Sequence, residues 1–250
     1  MDFRFDSFKG FKDKALLIIF LLVYLAVCVF LIFISLKDCT KDYDYEYASK
    51  LDNAPVIVID AGHGGFDGGA VSESGIAEKD INLEISKYIF EYCRLSGVNC
   101  IRTRADDSML SSENAPSASR KMSDLIARCE IAQKNPDYVF VSIHQNKFPS
   151  SKYKGLQVFY SRNHEGSRVL AGILKGNNRQ MIDQSNKREA KMSGREIYIL
   201  DSLKGPAVLV ECGFLSNSAE AEKLATEEYR KQLAFMIYTS LMQYIFSENT

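Results

Sequence analysis

Apolar positions in this chain fall into three kinds of run, and each predicts a different element. The first is unbroken. Ala15 to Leu36 reads ALLIIFLLVYLAVCVFLIFISL, without a charge. A helix of that length matches the ~30 Å hydrocarbon core of a bilayer. The second kind is short and uniformly apolar, as in VIVID (56–60), YVFVSIH (138–144) and AVLVECG (207–213). Strands covered on both faces look like this. VNCIRTR (98–104) and GLQVFYS (155–161) are further strands, and GREIYIL (194–200) reads as a short one. The third kind has helical spacing. Asp80 to Tyr92 carries apolar residues at 81, 85, 88, 89 and 92. Met122 to Gln133 is a helix ended by Asn135-Pro136, and another runs from about Ser167 to Ile182. Two close the chain, at 218–224 and 227–246; the last is apolar at 233, 236, 237, 241, 244 and 245. Residues 105 to 120 are polar and read as a long loop.

Strands alternating with helices predict an α/β domain with a mostly parallel or mixed central sheet flanked by helices. The organisation expected is a cytoplasmic segment (1–14), a transmembrane anchor or uncleaved signal (15–36), a stalk rich in Asp, Lys and Tyr (37–54), and one folded domain from Pro55 onward (55–250). A removable signal has an apolar stretch of roughly 7–15 residues and a small-residue cleavage site. Here the run exits into Lys37-Asp38-Cys39 instead. Lys9, Lys12 and Lys14 precede it and an acidic stretch (42–46) follows, so the positive-inside rule puts the domain outside the cytoplasm.

Net charge is −1, from 31 basic and 32 acidic residues. No basic patch interleaved with aromatics is present, which argues against nucleic acid as a partner. Six cysteines show no C-x-x-C pair and no zinc-ribbon spacing. Outside the cytoplasm disulfides are permitted, and Cys93 with Cys100 is one candidate pair. Buried thiols acting as small apolar side chains are the other reading. Leu25-Ala26-Val27-Cys28 is a poor lipoprotein box because Val27 precedes the cysteine.

Candidate chemistry gathers at strand ends, where ligand sites of open α/β sheets lie. His63 follows the first strand in IDAGHGGFDGG, His144 ends the third, and Glu211 interrupts the last. A phosphate-cradling loop fails on detail, because neither G-x-x-x-x-G-K-[ST] nor G-x-G-x-x-G is present. Glycines flank the histidine instead, which suggests close packing around a ligand. A catalytic zinc takes three protein ligands and keeps a fourth position open. His63 and His144 suit it, with Glu78 at a helix start as the third ligand and Glu73 as its competitor. A further carboxylate must carry the proton, and Glu211 suits that. Each has a plainer reading: a turn-lining His63, a hydrogen-bonded His144, a helix-dipole role for Glu78, and an ion pair of Glu211 with Arg128 or Lys191. His164 reads as a surface residue.

The motifs DAGHGGFDGGA (60–70), GIAEKDINL (75–83), TR (103–104), SIHQN (142–146) and VLVECGFLSN (208–217) occur in the order of one family. The chain resembles the zinc-dependent N-acetylmuramoyl-L-alanine amidases of bacterial cell-wall metabolism, the amidase type 3 family. The resemblance implies one Zn2+ held by His63, Glu78 and His144, with Glu211 as acid/base. It implies hydrolysis of the amide between N-acetylmuramic acid and the L-alanine of peptidoglycan. Asn146 is a candidate substrate contact. YKGLQVFYSRNHEGS (153–167) looks like the germination-specific subgroup, which implies a place in spore cortex maturation, in the cell envelope or the forespore intermembrane space. A general autolysin or division amidase is the alternative role. A zinc peptidase or an inactive wall-binding regulator are the alternative classes. No inserted helix separates the motifs, so control is expected from expression, location or an activating protein partner.

Overall fold

A computed structural model describes residues 18–32, 54–111 and 117–248. The chain divides into two units, Met1–Asp52 and Asn53–Thr250. Of the first, residues 18–32 are described and form a helix, α1, whose large apolar side chains are exposed. At 1.5 Å per residue this stretch is about 22 Å long. Among the described residues no helix is long and apolar enough to cross a membrane. The rest of the span expected over 15–36, and the stalk up to residue 53, lie outside the described residues.

The second unit is a mixed six-stranded sheet with helices on both faces. Its elements run β1 (Val56–Ala61), α2 (Glu78–Leu95), β2 (Cys100–Arg102), α3 (Ser117–Gln133), β3 (Tyr138–Asn146) and β4 (Gln157–Tyr160). They continue with α4 (Glu165–Met181), β5 (Lys191–Met192), α5 (Tyr198–Ser202), β6 (Ala207–Phe214), α6 (Ser218–Ala225) and α7 (Glu227–Glu248). Strand order is β2-β1-β3-β6-β4-β5. All neighbours are parallel except β4 and β6, which are antiparallel.

Alternation along the strands explains both layers. Ile57, Ile59, Val141, Ile143, Val208 and Val210 are fully or almost fully buried on the face covered by α2, α4 and α7. Val58, Phe140 and Leu209 turn the other way and join Cys129 and Ala132 of α3 with Ile199, Leu200 and Leu203 around α5. Burying a side chain of this size contributes roughly 1.5–3 kcal/mol, so both layers are strongly specified. His144 and Glu211 follow Phe140 and Leu209 at even spacing, so they point to the α3/α5 face, at the carboxyl ends of β3 and β6.

Two expectations need correction. Residues 194–200 are not a strand: α5 begins at Tyr198, and a two-residue strand lies upstream at Lys191–Met192. Glu-Ile-Tyr-Ile alternates locally, but Ile199, Leu200 and Leu203 bury one helical stripe against α3, and tertiary packing overrides the local pattern. The polar loop is also shorter than expected, since α3 starts at Ser117. The extra turns bring Arg120 over the ring of Phe66, at 4.4 Å, and Lys121 to Asp67, at 3.0 Å. Cys93 and Cys100 are free thiols, the Cys100 thiol donating to the Phe90 carbonyl at 3.8 Å, and Cys129 and Cys212 are buried and free.

Candidate metal centre

His63 stands on the loop after β1 with φ of 62°, a left-handed conformation that costs a non-glycine residue on the order of 1–3 kcal/mol. Two buried arginines hold it there. Arg128 of α3 donates to the carbonyl oxygens of Ala61 and His63, each at 2.7 Å. Arg104 donates to those of Ala61 (2.8 Å), Gly62 (3.2 Å) and Lys79 (2.8 Å). Arg128 is itself fixed by Asp60 and Asp124, both at 2.6 Å. Asp60 also accepts from Thr103 (2.7 Å) and Ser142 (2.6 Å). Burial works against the Asp60 carboxylate, but Arg128 and the two hydroxyls outweigh it and hold its pKa below the usual value.

Glu78 opens α2 with 3 % of its surface exposed. Its Oε1 lies 2.9 Å from His144 Nδ1 and 3.2 Å from His63 Nε2, and it accepts from the Gln145 N–H at 3.0 Å. Its Oε2 accepts from the Ala70 N–H at 2.8 Å. Burial pushes Glu78 up, yet hydrogen bonds from His144 and His63 win and hold it well below the carboxylate range. The other nitrogen of His63, Nδ1, lies 2.9 Å from Asp67 Oδ2. Burial opposes charge on His63, but the hydrogen bonds to Asp67 and Glu78 push its pKa up to about 9.

One ligand atom from each of His63, Glu78 and His144 lies within 4.8 Å of the others. Tetrahedral zinc with bonds near 2.0–2.1 Å separates its ligand atoms by about 3.3 Å, close to the 2.9 and 3.2 Å found here. Two imidazoles and a carboxylate form the donor set of a catalytic zinc with an open position. The His63 Nδ1–Asp67 pair is the carboxylate support such a ligand normally has. The residues present therefore fit the ion.

Glycines clear this space. A Cβ on Gly62 would sit 2.2 Å from His144 Nε2, and one on Gly69, whose φ is +67°, would sit 2.6 Å from Glu78 Oε2. Glu73, the rival third ligand, is exposed on the preceding turn.

Glu211 is the Cα partner of His144 across β3 and β6. Its Oε2 is buried and has no hydrogen-bond partner. Burial, above all, pushes its pKa up to about 7, with the two histidines pulling the other way. It does not pair with Arg128, whose guanidinium is spent on Asp60, Asp124 and the loop carbonyls. Lys191 is exposed on β5 and makes no ion pair with it. Asn146 lies just past a bulge at the end of β3, where its carbonyl accepts from Leu215 N–H at 2.8 Å. His164 is exposed and caps α4 by accepting from Gly166 N–H at 3.0 Å.

A cleft of about 240 Å³ opens beside the histidines, bordered by Lys121, Glu196, Ile197 and Tyr198. A larger hollow, about 650 Å³, lies at the C-terminal end of α4 and contains none of these residues. Asp60, Asp67 and Arg128 carry the site's support, and the sequence reading gave them no such role. The signals were there: an acid closing an apolar strand, and an arginine on the buried side of α3.

The chain matches the N-acetylmuramoyl-L-alanine amidase family over residues 57–243. The germination-specific N-acetylmuramoyl-L-alanine amidase of Bacillus subtilis is 33 % identical over 190 residues, covering 76 % of this chain and 79 % of that one. The CwlD amidase from Clostridioides difficile, solved in complex with the GerS lipoprotein, is 38 % identical with a TM-score of 0.74. That alignment covers 77 % of this chain and 99 % of CwlD. An N-acetylmuramoyl-L-alanine amidase of Nostoc punctiforme is 30 % identical with a TM-score of 0.66, over 77 % of this chain and 97 % of that one.

Proposed function

This chain belongs to the N-acetylmuramoyl-L-alanine amidase family, and from that premise we propose how its own residues perform the reaction. It is an amidase that hydrolyses the bond between N-acetylmuramic acid and L-alanine in peptidoglycan. His63, Glu78 and His144 hold one Zn2+. When bound, the ion polarises the carbonyl of the scissile amide and brings the pKa of a water molecule to roughly 7. Glu211 then accepts the water proton and returns it to the amine nitrogen of the departing L-alanine. Asn146 borders the substrate.

The observation that carries this reading is the orphan carboxylate of Glu211. A buried carboxylate oxygen without a partner, as Glu211 Oε2 is, costs on the order of several kcal/mol, and Glu211 stands one strand from His144 as its register partner. A structural acid would have found a donor; a proton carrier is kept free. Mass spectrometry of muropeptides from defined peptidoglycan tests it. Free N-acetylmuramic acid ends and L-alanine amino termini are expected, and both disappear with a chelator. Cleaved peptide bonds in their place would identify a peptidase instead.

The biological setting proposed is spore cortex maturation, supported by the likeness to the germination-specific amidase and CwlD. An activating protein partner is also proposed, supported by CwlD having been solved with a lipoprotein. Full turnover by the purified chain alone would remove the partner. The uncharged run from Ala15 to Leu36, with lysines before it, supports an anchor that holds the domain outside the cytoplasm. Membrane fractionation of the full chain against one lacking residues 1–53 tests that: only the full chain should pellet with membranes.

A further inference from the structure

The loop that leaves β3 beyond the metal ligands has a composition that nothing in the reaction uses. Residues 147 to 155 read KFPSSKYKG, with three lysines and no acid. Phe148 and Tyr153 meet edge to face at 4.7 Å, yet they remain 49 % and 44 % exposed. Tyr153 stacks on Phe214 at 6.2 Å, and the guanidinium of Arg188 lies over Phe214 at 4.6 Å and Tyr153 at 5.7 Å.

The loop is held still from below. Phe148 N–H donates to Ser216 Oγ at 3.1 Å, Asn217 Nδ2 to the Ser151 carbonyl at 2.8 Å, and Gly155 N–H to Glu220 Oε1 at 2.8 Å. Lys147 Nζ reaches the Val71 carbonyl, at 2.8 Å, on the segment that leads to Glu78. On the other side, Gln157 is the register partner of Glu211 and donates to the carbonyl of Glu189, next to Arg188. The aromatic pair thus sits on the loop that follows the His144 strand, tied on one flank to the segment before Glu78 and on the other to β4, which pairs with the strand of Glu211. Rings that only filled a core would be covered, whereas a fixed loop that leaves two rings about half exposed is pre-organised for an apolar ligand face.

We propose that Phe148 and Tyr153 form a stacking platform for a pyranose ring of the glycan strand, next to the muramoyl residue whose amide is cut. The C–H face of a sugar supplies the apolar surface such rings bury. Lys147, Lys152, Lys154 and Arg188 form a cationic rim matched to the carboxylates of neighbouring stem peptides. The proposal rests on the amidase reading and adds a polymer-binding subsite to it.

The test uses the full-length chain with two substrates, long glycan strands carrying stem peptides and a soluble N-acetylmuramoyl-peptide monomer. Phe148→Ala should raise KM on strands about tenfold, the scale of losing a well-packed aromatic contact, and leave kcat and the monomer kinetics unchanged. Phe148→Tyr should behave as wild type. Lys152→Glu with Lys154→Glu should weaken strand binding and flatten its dependence on salt. An unchanged KM on strands for Phe148→Ala overturns the platform, as does an equal loss on the monomer. Co-sedimentation with purified sacculi needs no turnover and separates the two readings. If wild type pellets and Phe148→Ala does not, while no strand is cut, the amidase reading fails and the platform stands. If strands are cut and both proteins pellet alike, the platform fails alone.

Discussion

Arg128 and His63, 65 positions apart in the chain, meet in a 2.7 Å hydrogen bond from the guanidinium to the histidine's carbonyl oxygen. The same guanidinium binds Asp60 and Asp124, so a buried ion cluster holds the backbone of His63 in a left-handed conformation. Lysine cannot copy this, having no planar fork of donors.

Arg128→Lys should therefore weaken metal affinity, by about 10–100-fold, the range for losing an outer support of a ligand. Competition with a chromogenic chelator reads this out. Arg128→Met leaves Asp60 and Asp124 uncompensated and should cost about 3–5 kcal/mol, measured by urea denaturation.

Gly62→Ala puts a methyl group where the His144 ring lies. The ring must move, so bound metal and activity should fall together while circular dichroism stays native. Gly68→Ala is the control, since nothing lies within 4 Å of its Cβ position.

Glu211→Gln should keep its metal content and lose about 10²–10⁴-fold in kcat, the usual contribution of a proton carrier. Loss of metal would make Glu211 a ligand or a structural residue. In the metal-free protein its raised pKa, about 7 against an ordinary 4.5, has a definite sign. The unfolded chain gives up this proton first, so its contribution to stability falls as pH rises from about 4.5 to 7 and then levels off. Glutamine has no proton to lose. The variant should gain stability relative to wild type across that window, by up to about 3 kcal/mol at 1.36 kcal/mol per pH unit. Denaturant melts at pH 4.5 and 8 measure the difference.

Metal binding should release protons. His63 is protonated below about 9 in the metal-free site, and a ligating imidazole must be neutral. Affinity should then climb by up to about tenfold per pH unit from 6.5 to 9, read by chelator competition across pH. A chelator should abolish turnover and lower the melting temperature, and added Zn2+ should restore both.

Much of the fold could be read along the chain, because strands covered on both faces are apolar without interruption and helices carry their stripe at 3.6-residue spacing. The segment at 194–200 misled for the same reason: four alternating residues carry a strand signal, and only packing against the surface of α3 turned Ile199 and Leu200 into a helix. Periodicity likewise said nothing about which strand was antiparallel, since β4 obeys the same alternation either way round.

The sequence by itself determined the chemistry available: two histidines and two glutamates at strand and helix ends, and glycines that leave room around one of them. Those are matters of residue type and local spacing, which a chain carries in any conformation. Tertiary structure alone decided that one Glu78 oxygen lies 2.9 and 3.2 Å from the two histidines, that Arg128 serves Asp60 and the His63 carbonyl and leaves Glu211 Oε2 unpaired, and that Phe148 and Tyr153 stay about half exposed on the loop after β3. The physical reason is burial. A charge or a ring takes its role from what remains within a few ångströms once water has been excluded, and those neighbours lie tens of residues away in the chain.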